Sequence, residues 1–176
     1  MTSDDPFALL GLPRGFELDP SALQAAYLRA SARVHPDKRH EPAGALEAAA
    51  DAARINDARQ MLADDERRAD ALLRVLGGPP KDRVKDLPDG FLLDIMGTRE
   101  TMEAAIESRD PQQLAALQGW AEERRREFAA AIALLFADHA CSNDAALLRE
   151  VRVQLNAWRY IERMLEQLDP DDRPAL

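Results

Sequence analysis

The sequence predicts an all-α chain in two parts. Three observations lead there. Ala and Leu supply most of the apolar content and aromatics only 5% of residues, which favours helix over sheet. Apolar residues recur at spacings of three and four, and no alternating strand pattern or internal repeat interrupts them. Gly77-Gly78-Pro79-Pro80 breaks the pattern, since two glycines stop a helix and two prolines prevent its resumption. With 176 residues the chain has room for one or two small domains. The expected division is residues 1–76, a linker over 77–88 and a second domain over 89–176.

Each element follows from local signals. Asp5 can cap a short helix that begins at Pro6, carries Phe7, Leu9 and Leu10, and stops at Gly11. Asp19 caps a second helix with Pro20 at its first position and an apolar stripe of Leu23, Ala26, Tyr27, Ala30 and Val34. Pro36 biases His35 away from helical geometry and ends that run. A third helix is expected over 42–63, with Leu46, Ala49, Ala53, Ile55, Ala58, Met61 and Leu62 as its apolar face. A fourth, over 65–76, turns Leu72, Leu73 and Leu76 inward. After the break, charged residues 81–87 read as a linker. Asp89 is expected to cap a helix reaching about residue 109, and Asp110-Pro111 to start a long one ending near His139. Ser142-Asn143-Asp144 supplies the next turn and cap, and a last helix runs to about residue 168. The tail 169–176, with two prolines, is expected to fray. The second part thus reads as three antiparallel helices joined by short loops.

Composition narrows the function. No run is long enough to span a membrane, and Asp4-Asp5 stands where a signal peptide would be basic, so a cytoplasmic protein is expected. A net charge of -9 argues against nucleic acid or an anionic membrane as the main target. The single cysteine, Cys141, excludes an internal disulfide and any cysteine-rich zinc or iron–sulfur site. His139 and Cys141, with Asp138 and Asp144 nearby, offer too few ligands at a helix end for a metal centre. Arg124-Arg125-Arg126 follows Glu122-Glu123 and reads as a solvated face. No cofactor is expected.

The tripeptide His35-Pro36-Asp37 is the strongest motif. It lies between two helical patterns of suitable length. Proline fixes a rigid turn that projects one imidazole and one carboxylate. Arg29 and Arg33 lie four apart on a different face from Tyr27 and Val34, and Lys38 and Arg39 follow the loop. This basic stripe in an acidic chain can steer an acidic partner and set its orientation. Asp37 can meet an arginine of that partner by a charge-assisted bond. A helix, an HPD loop and a returning antiparallel helix with Ile55-Asn56-x-Ala58 and Leu62 resemble a J-domain. That resemblance implies an activator of the ATPase of a seventy-kilodalton heat-shock chaperone, touched through His35, Pro36, Asp37, Arg29, Arg33 and Lys38.

The resemblance extends over nearly the whole chain. The opening from Pro6-Phe7-Ala8-Leu9-Leu10-Gly11, the segment Phe16-x-Leu18-Asp19-x-x-x-Leu23 and the run Arg68-Ala69-x-x-Leu72-Leu73 are similar to the HscB-type co-chaperones of iron–sulfur cluster assembly. So is Phe91-Leu92-Leu93-Asp94-Ile95-Met96 through Glu100. The chain departs from the family at Arg39, Arg59, Asp65-Glu66 and Gly97-Thr98. The resemblance implies an HscA- or DnaK-like chaperone and an IscU-like scaffold as partners. Leu92, Leu93 and Met96 would then touch the scaffold, with Arg99 and Glu100 at the rim and Tyr160 alongside. Phe91 and Ile95 form a second apolar cluster, so this helix can bury one side and offer the other. Trp120, Phe128, Leu135, Phe136, Leu155 and Trp158 are assigned to bundle packing.

Two other readings differ in kind. A general J-domain co-chaperone would carry another client on the same bundle. A hydrolase using His35 and Asp37 as acid and base would need a nucleophile, phosphate loop or metal set, and the sequence offers none.

Overall fold

A computed structural model describes residues 5–34 and 42–168. Among them are seven helices and no strand: α1 Pro6–Leu10, α2 Pro20–Arg33, α3 Pro42–Ala63, α4 Asp65–Val75, α5 Phe91–Ser108, α6 Pro111–Ser142 and α7 Ala145–Leu168. They divide into two compact units, Met1–Gly77 and Gly78–Leu176.

In the first unit, sequence-local caps set the helix starts. Asp5 Oδ1 accepts from the amides of Phe7 at 2.9 Å and Ala8 at 3.2 Å, while Arg14 Nε donates to its other oxygen at 2.9 Å. Gly11 closes α1 at φ 68°, a left-handed conformation that glycine adopts without steric cost. Asp19 caps α2 through the Ser21 amide at 3.0 Å, and Asp64 caps α4 through the Arg67 amide at 2.8 Å. Helix α3 packs against α1, α2 and α4. Phe7, Leu10, Leu23, Ala26, Ala30, Ile55, Ala58, Leu62, Leu72 and Leu73 are buried.

The expected face of α3 needs correcting in its first half. Leu46 is 79% exposed, Ala49 and Ala53 are exposed, and Ala48 is buried instead. In this half small alanines stand on several sides of the helix, so the local pattern does not fix which side packs. Helices α1, α2 and α4 fix it, along Ala48, Ile55, Ala58 and Leu62. Leu76, expected inward, is the C-cap residue of α4 and is exposed.

Arg68 ties this unit together. It is 8% exposed and donates from Nε to the Phe16 carbonyl and from Nη1 to the Leu62 carbonyl, both at 2.7 Å. Its guanidinium also pairs with Asp65 and lies 5.2 Å from the centre of the Phe16 ring. One side chain thus joins the loop before α2, the end of α3 and the start of α4.

In the second unit, α6 and α7 make the most extensive pairing. The 32 residues of α6 reach about 48 Å at 1.5 Å per residue. Asp110 caps α6 through the Gln112 amide at 2.9 Å, with Pro111 at the first position. Asn143, at φ 55°, turns the chain into α7, and Asp144 accepts from the Ala146 amide at 2.8 Å. Trp158 is 1% exposed, and its indole donates to Glu162 Oε1 at 2.6 Å. Arg125 on α6 grips the same carboxylate with Nε at 2.8 Å and Nη2 at 2.6 Å. Helix α5 is shorter, at 18 residues. Its Ile95, Met102 and Ala105 are buried with Leu117 and Ala121 of α6 and Ile161 and Met164 of α7. Its N-cap is Gly90 at φ 79°, not the expected Asp89, and no side chain caps it.

The charged segment before α5, expected as a linker, is fastened to α7. Asn156 Nδ2 donates to the carbonyls of Val84 and Asp86, each at 3.0 Å, and Arg152 Nε donates to the Pro79 carbonyl at 3.0 Å. Val84 is buried. The Arg149–Asp86 ion pair is exposed at both ends, so the amide bonds and Val84 hold the segment more than that pair does.

Two predictions follow from these joints. Arg68→Leu leaves two buried carbonyls without donors and should destabilise the first unit by about 3 kcal/mol. Far-ultraviolet circular dichroism would show it. Tryptophan fluorescence, which reads only Trp120 and Trp158 of the second unit, should keep its midpoint. Burial raises the pKa of Glu162, but the bonds from Arg125 and Trp158 outweigh it and leave it below the ordinary 4.5. The lowered value means this carboxylate stabilises the folded unit above its unfolded pKa and loses that effect as pH falls through the folded one. Acid titration of tryptophan fluorescence should therefore show a flatter loss of stability below pH 4.5 in Glu162→Gln than in the wild type.

Candidate partner-docking surfaces

The first candidate surface is the outer face of α2. Burying Ala26 and Ala30 against α3 turns Arg29 and Arg33 outward, and both are exposed. Tyr27 donates to Asn56 Oδ1 at 2.8 Å, so the hydroxyl latches α2 to α3. Arg59 lies over the Tyr27 ring at 5.1 Å, a cation–π contact that adds to the latch. Arg33 occupies the last turn, where the helix carbonyls favour a cation. His35, Pro36, Asp37 and Lys38 lie outside the described residues. Leu28, 57% exposed beside Arg29, is an apolar contributor to this face that the stripe reading passed over. Its signal was its position one residue out of phase with Tyr27.

The second candidate surface is on α5. Ile95 is 3% exposed, whereas Leu92, Leu93 and Met96 are 55%, 78% and 60% exposed. Phe91 sits on the inner side, edge-on to Phe128 at 6.2 Å and to Tyr160 at 5.8 Å. Two residues with distinct packing duties therefore hold the helix from within, and three large apolar side chains face water. Glu100 is exposed. Arg99 donates to Glu103 Oε1 at 3.1 Å, and Glu103 first, with the nearby Tyr160 second, raises its pKa above the ordinary value. Tyr160 thus packs against the inner aromatic Phe91 and lies near Arg99. Gly97 adds open space, for nothing lies within 4 Å of the position a Cβ would take. A groove of about 520 Å³ runs there between α5 and α6, lined by Asp94, Gly97, Thr98, Leu117 and Trp120.

Other clusters do not build a reaction centre. His139 is buried and uses Nδ1 to donate to the Asp144 carbonyl at 2.9 Å, bracing the α6–α7 turn. Among the described residues no three His, Cys, Asp or Glu side chains are placed to hold a metal ion. Among them, too, no helix is long and apolar enough to cross a membrane.

A helical hairpin with an exposed basic face, followed by a separate bundle with an exposed apolar face, fits the J-domain co-chaperone class. The DnaJ domain family matches residues 5–70, and the family described as the HSCB C-terminal oligomerisation domain matches residues 87–169. The co-chaperone protein HscB homolog of Bordetella pertussis is 33% identical over 172 residues, covering 96% of each chain. That of Ralstonia nicotianae is 36% identical over 169 residues, covering 92% of each. The solved structure of the chaperone HscB from Vibrio cholerae aligns with a TM-score of 0.62 at 30% identity, covering 94% of this chain and 99% of that one. The crystal structure of human co-chaperone protein HscB, at 21% identity, has the same fold with a TM-score of 0.80 over 99% of this chain and 85% of that one. The chain belongs to the HscB co-chaperone family.

The asymmetry of α5 gives a direct stability test. Ile95→Ala should cost about 2–4 kcal/mol, because it opens a cavity between three helices. Leu92→Ala should change stability by only about 0.5 kcal/mol or less, as exposed positions do. Urea unfolding of both variants, followed by tryptophan fluorescence, compares them.

Proposed function

We propose that this co-chaperone stimulates the ATPase of a seventy-kilodalton heat-shock chaperone and brings an iron–sulfur cluster scaffold to it as client. Residues Arg29, Arg33, His35, Pro36, Asp37 and Lys38 meet the chaperone. Residues Leu92, Leu93, Met96, Arg99, Glu100 and Tyr160 meet the scaffold. The observation that carries the reading is the exposure of Leu92, Leu93 and Met96 on a helix anchored by Ile95 beneath them.

The chemistry asked of each surface is modest. Hydrolysis belongs to the chaperone, and the J-domain biases its conformation by binding one state better than another. Exposed Arg29 and Arg33 act on encounter rate and orientation more than on final affinity. The α5 face has an apolar centre with Arg99 and Glu100 at its rim, the plan of an ordinary protein interface. Covering three large apolar side chains can stabilise a complex by about 1.5–3 kcal/mol for each one fully buried. Entropic costs of association reduce that sum.

The test is a steady-state ATPase assay with purified chaperone and an IscU-like scaffold. His35→Gln should abolish stimulation while leaving the helical signal unchanged. Leu92→Ala with Met96→Ala should retain stimulation by the co-chaperone alone. It should weaken scaffold binding, measured by calorimetry, by about 2 kcal/mol or more. Full stimulation by His35→Gln contradicts the chaperone half of the proposal, and unchanged scaffold affinity in the double variant contradicts the client half.

A further inference from the structure

The α5 face borders a second feature that the client reading does not use. Between the segment preceding α5 and the outer side of α7 lies a cavity of about 650 Å³, lined by Lys81, Asp82, Lys85, Arg159, Tyr160 and Arg163. We infer that this groove docks a short acidic stretch of the same client whose apolar patch covers α5, an inference that rests on the client reading above.

Charge is the first argument. Four cationic side chains face one carboxylate in the lining, on a chain whose net charge is -9. A local excess of positive charge in an acidic protein selects a small acidic group. An extended polyanion or an anionic bilayer meets the repulsion of the whole chain, whereas a few carboxylates within a Debye length feel mainly the groove. Arginine forks suit carboxylates, which they bind with two parallel bonds. Lys81 and Arg159 already interact within the chain and contribute field, and Lys85 and Arg163 are exposed.

The second argument is that the groove is built, not a chance meeting of loose side chains. Asn156, Arg159, Tyr160 and Arg163 follow the helical spacing of three, four and seven, so α7 presents them along one face. The opposite wall is fixed to that helix by Asn156 through the Val84 and Asp86 carbonyls and by Arg152 through the Pro79 carbonyl. Lys81 and Lys85 are therefore carried on backbone held from both ends, which lowers the ordering cost of binding.

The third argument is continuity. Tyr160 lines the groove, packs its ring against Phe91 and lies near enough to Arg99 to act on its charge. A client that covers Leu92 and Met96 thus meets Tyr160 at its edge and the basic groove immediately beyond. Two adjacent weak contacts on one client act together, the second being intramolecular once the first is made.

The experiment uses the full chain and two probes, a fluorescein-labelled hexaglutamate peptide read by anisotropy and an IscU-like scaffold read by calorimetry. Lys85→Glu with Arg163→Glu should weaken both by about tenfold at low salt, with helical content unchanged. Arg67→Glu with Arg126→Glu, which alters net charge equally at exposed positions on α4 and α6, should leave both near wild type. Leu92→Ala with Met96→Ala should lose the scaffold and keep the peptide. Several outcomes would overturn the inference: no peptide binding by the wild type, equal losses in the groove variant and its charge-matched control, or scaffold affinity untouched by the groove variant. A groove variant that loses binding to phosphatidylglycerol vesicles but not to peptide would overturn it in favour of a membrane. If the wild type does not bind the scaffold at all, the client reading fails, while the peptide arm still decides whether the groove takes carboxylates.

Discussion

Helix α5 carries more large apolar side chains than one side of a helix can bury. It lies against α6 and α7 by Ile95, Met102 and Ala105, with Phe91 wedged between Phe128 and Tyr160. That choice of side leaves Leu92, Leu93 and Met96 in water. Rolling the helix to hide them would expose Ile95 and Met102 and undo the aromatic contacts, so relief by rotation costs as much as it gains. The apolar surface is a consequence of how the unit packs, and it persists until another molecule covers it. The rim, Arg99 with Glu103 and Tyr160, is set by the same packing, because Tyr160 is half of the aromatic wedge.

The first unit solves a different problem. Its α2 must present charge outward while its short residues pack inward, and Ala26 and Ala30 let α3 approach closely enough for Tyr27 to reach Asn56. Arg68 then locks the far end of the hairpin through two backbone carbonyls. A buried cation is costly unless its donors are used. Here the guanidinium is shared among two carbonyls, Asp65 and the Phe16 ring. A hydrophobic residue of similar size could fill the space but could not satisfy those carbonyls.

What the sequence disclosed depended on the range of the interaction. Caps such as Asp5, Asp19 and Asp110 were legible because acceptor and amide are two or three residues apart. Asp89 was misread because Gly90, one residue later, takes the left-handed conformation and becomes the cap itself. The face of α3 was legible near Ile55 and Leu62, where bulky residues mark it, and illegible near Leu46, where alanines surround it. The break at Gly77-Gly78 coincides with the division between the two units. The attachment of residues 79–86 to Asn156 and Arg152 joins positions about seventy apart in sequence, beyond the reach of any local pattern. On the site, the two-sided pattern of α5 was readable from spacing. Which side faces out was drawn from the family resemblance, and the buried Ile95 agrees with it.

The account turns on whether the outward side of α5 is covered by a client. Methyl-resolved nuclear magnetic resonance of the full chain, labelled at Leu, Ile and Met and titrated with an IscU-like scaffold, reads this directly. The account predicts that the methyl signals of Leu92, Leu93 and Met96 shift or broaden on titration, while those of Met102 and Ile161 in the same unit stay in place. Unchanged Leu92, Leu93 and Met96 signals at saturating scaffold, or changes confined to methyls of the first unit, would contradict it.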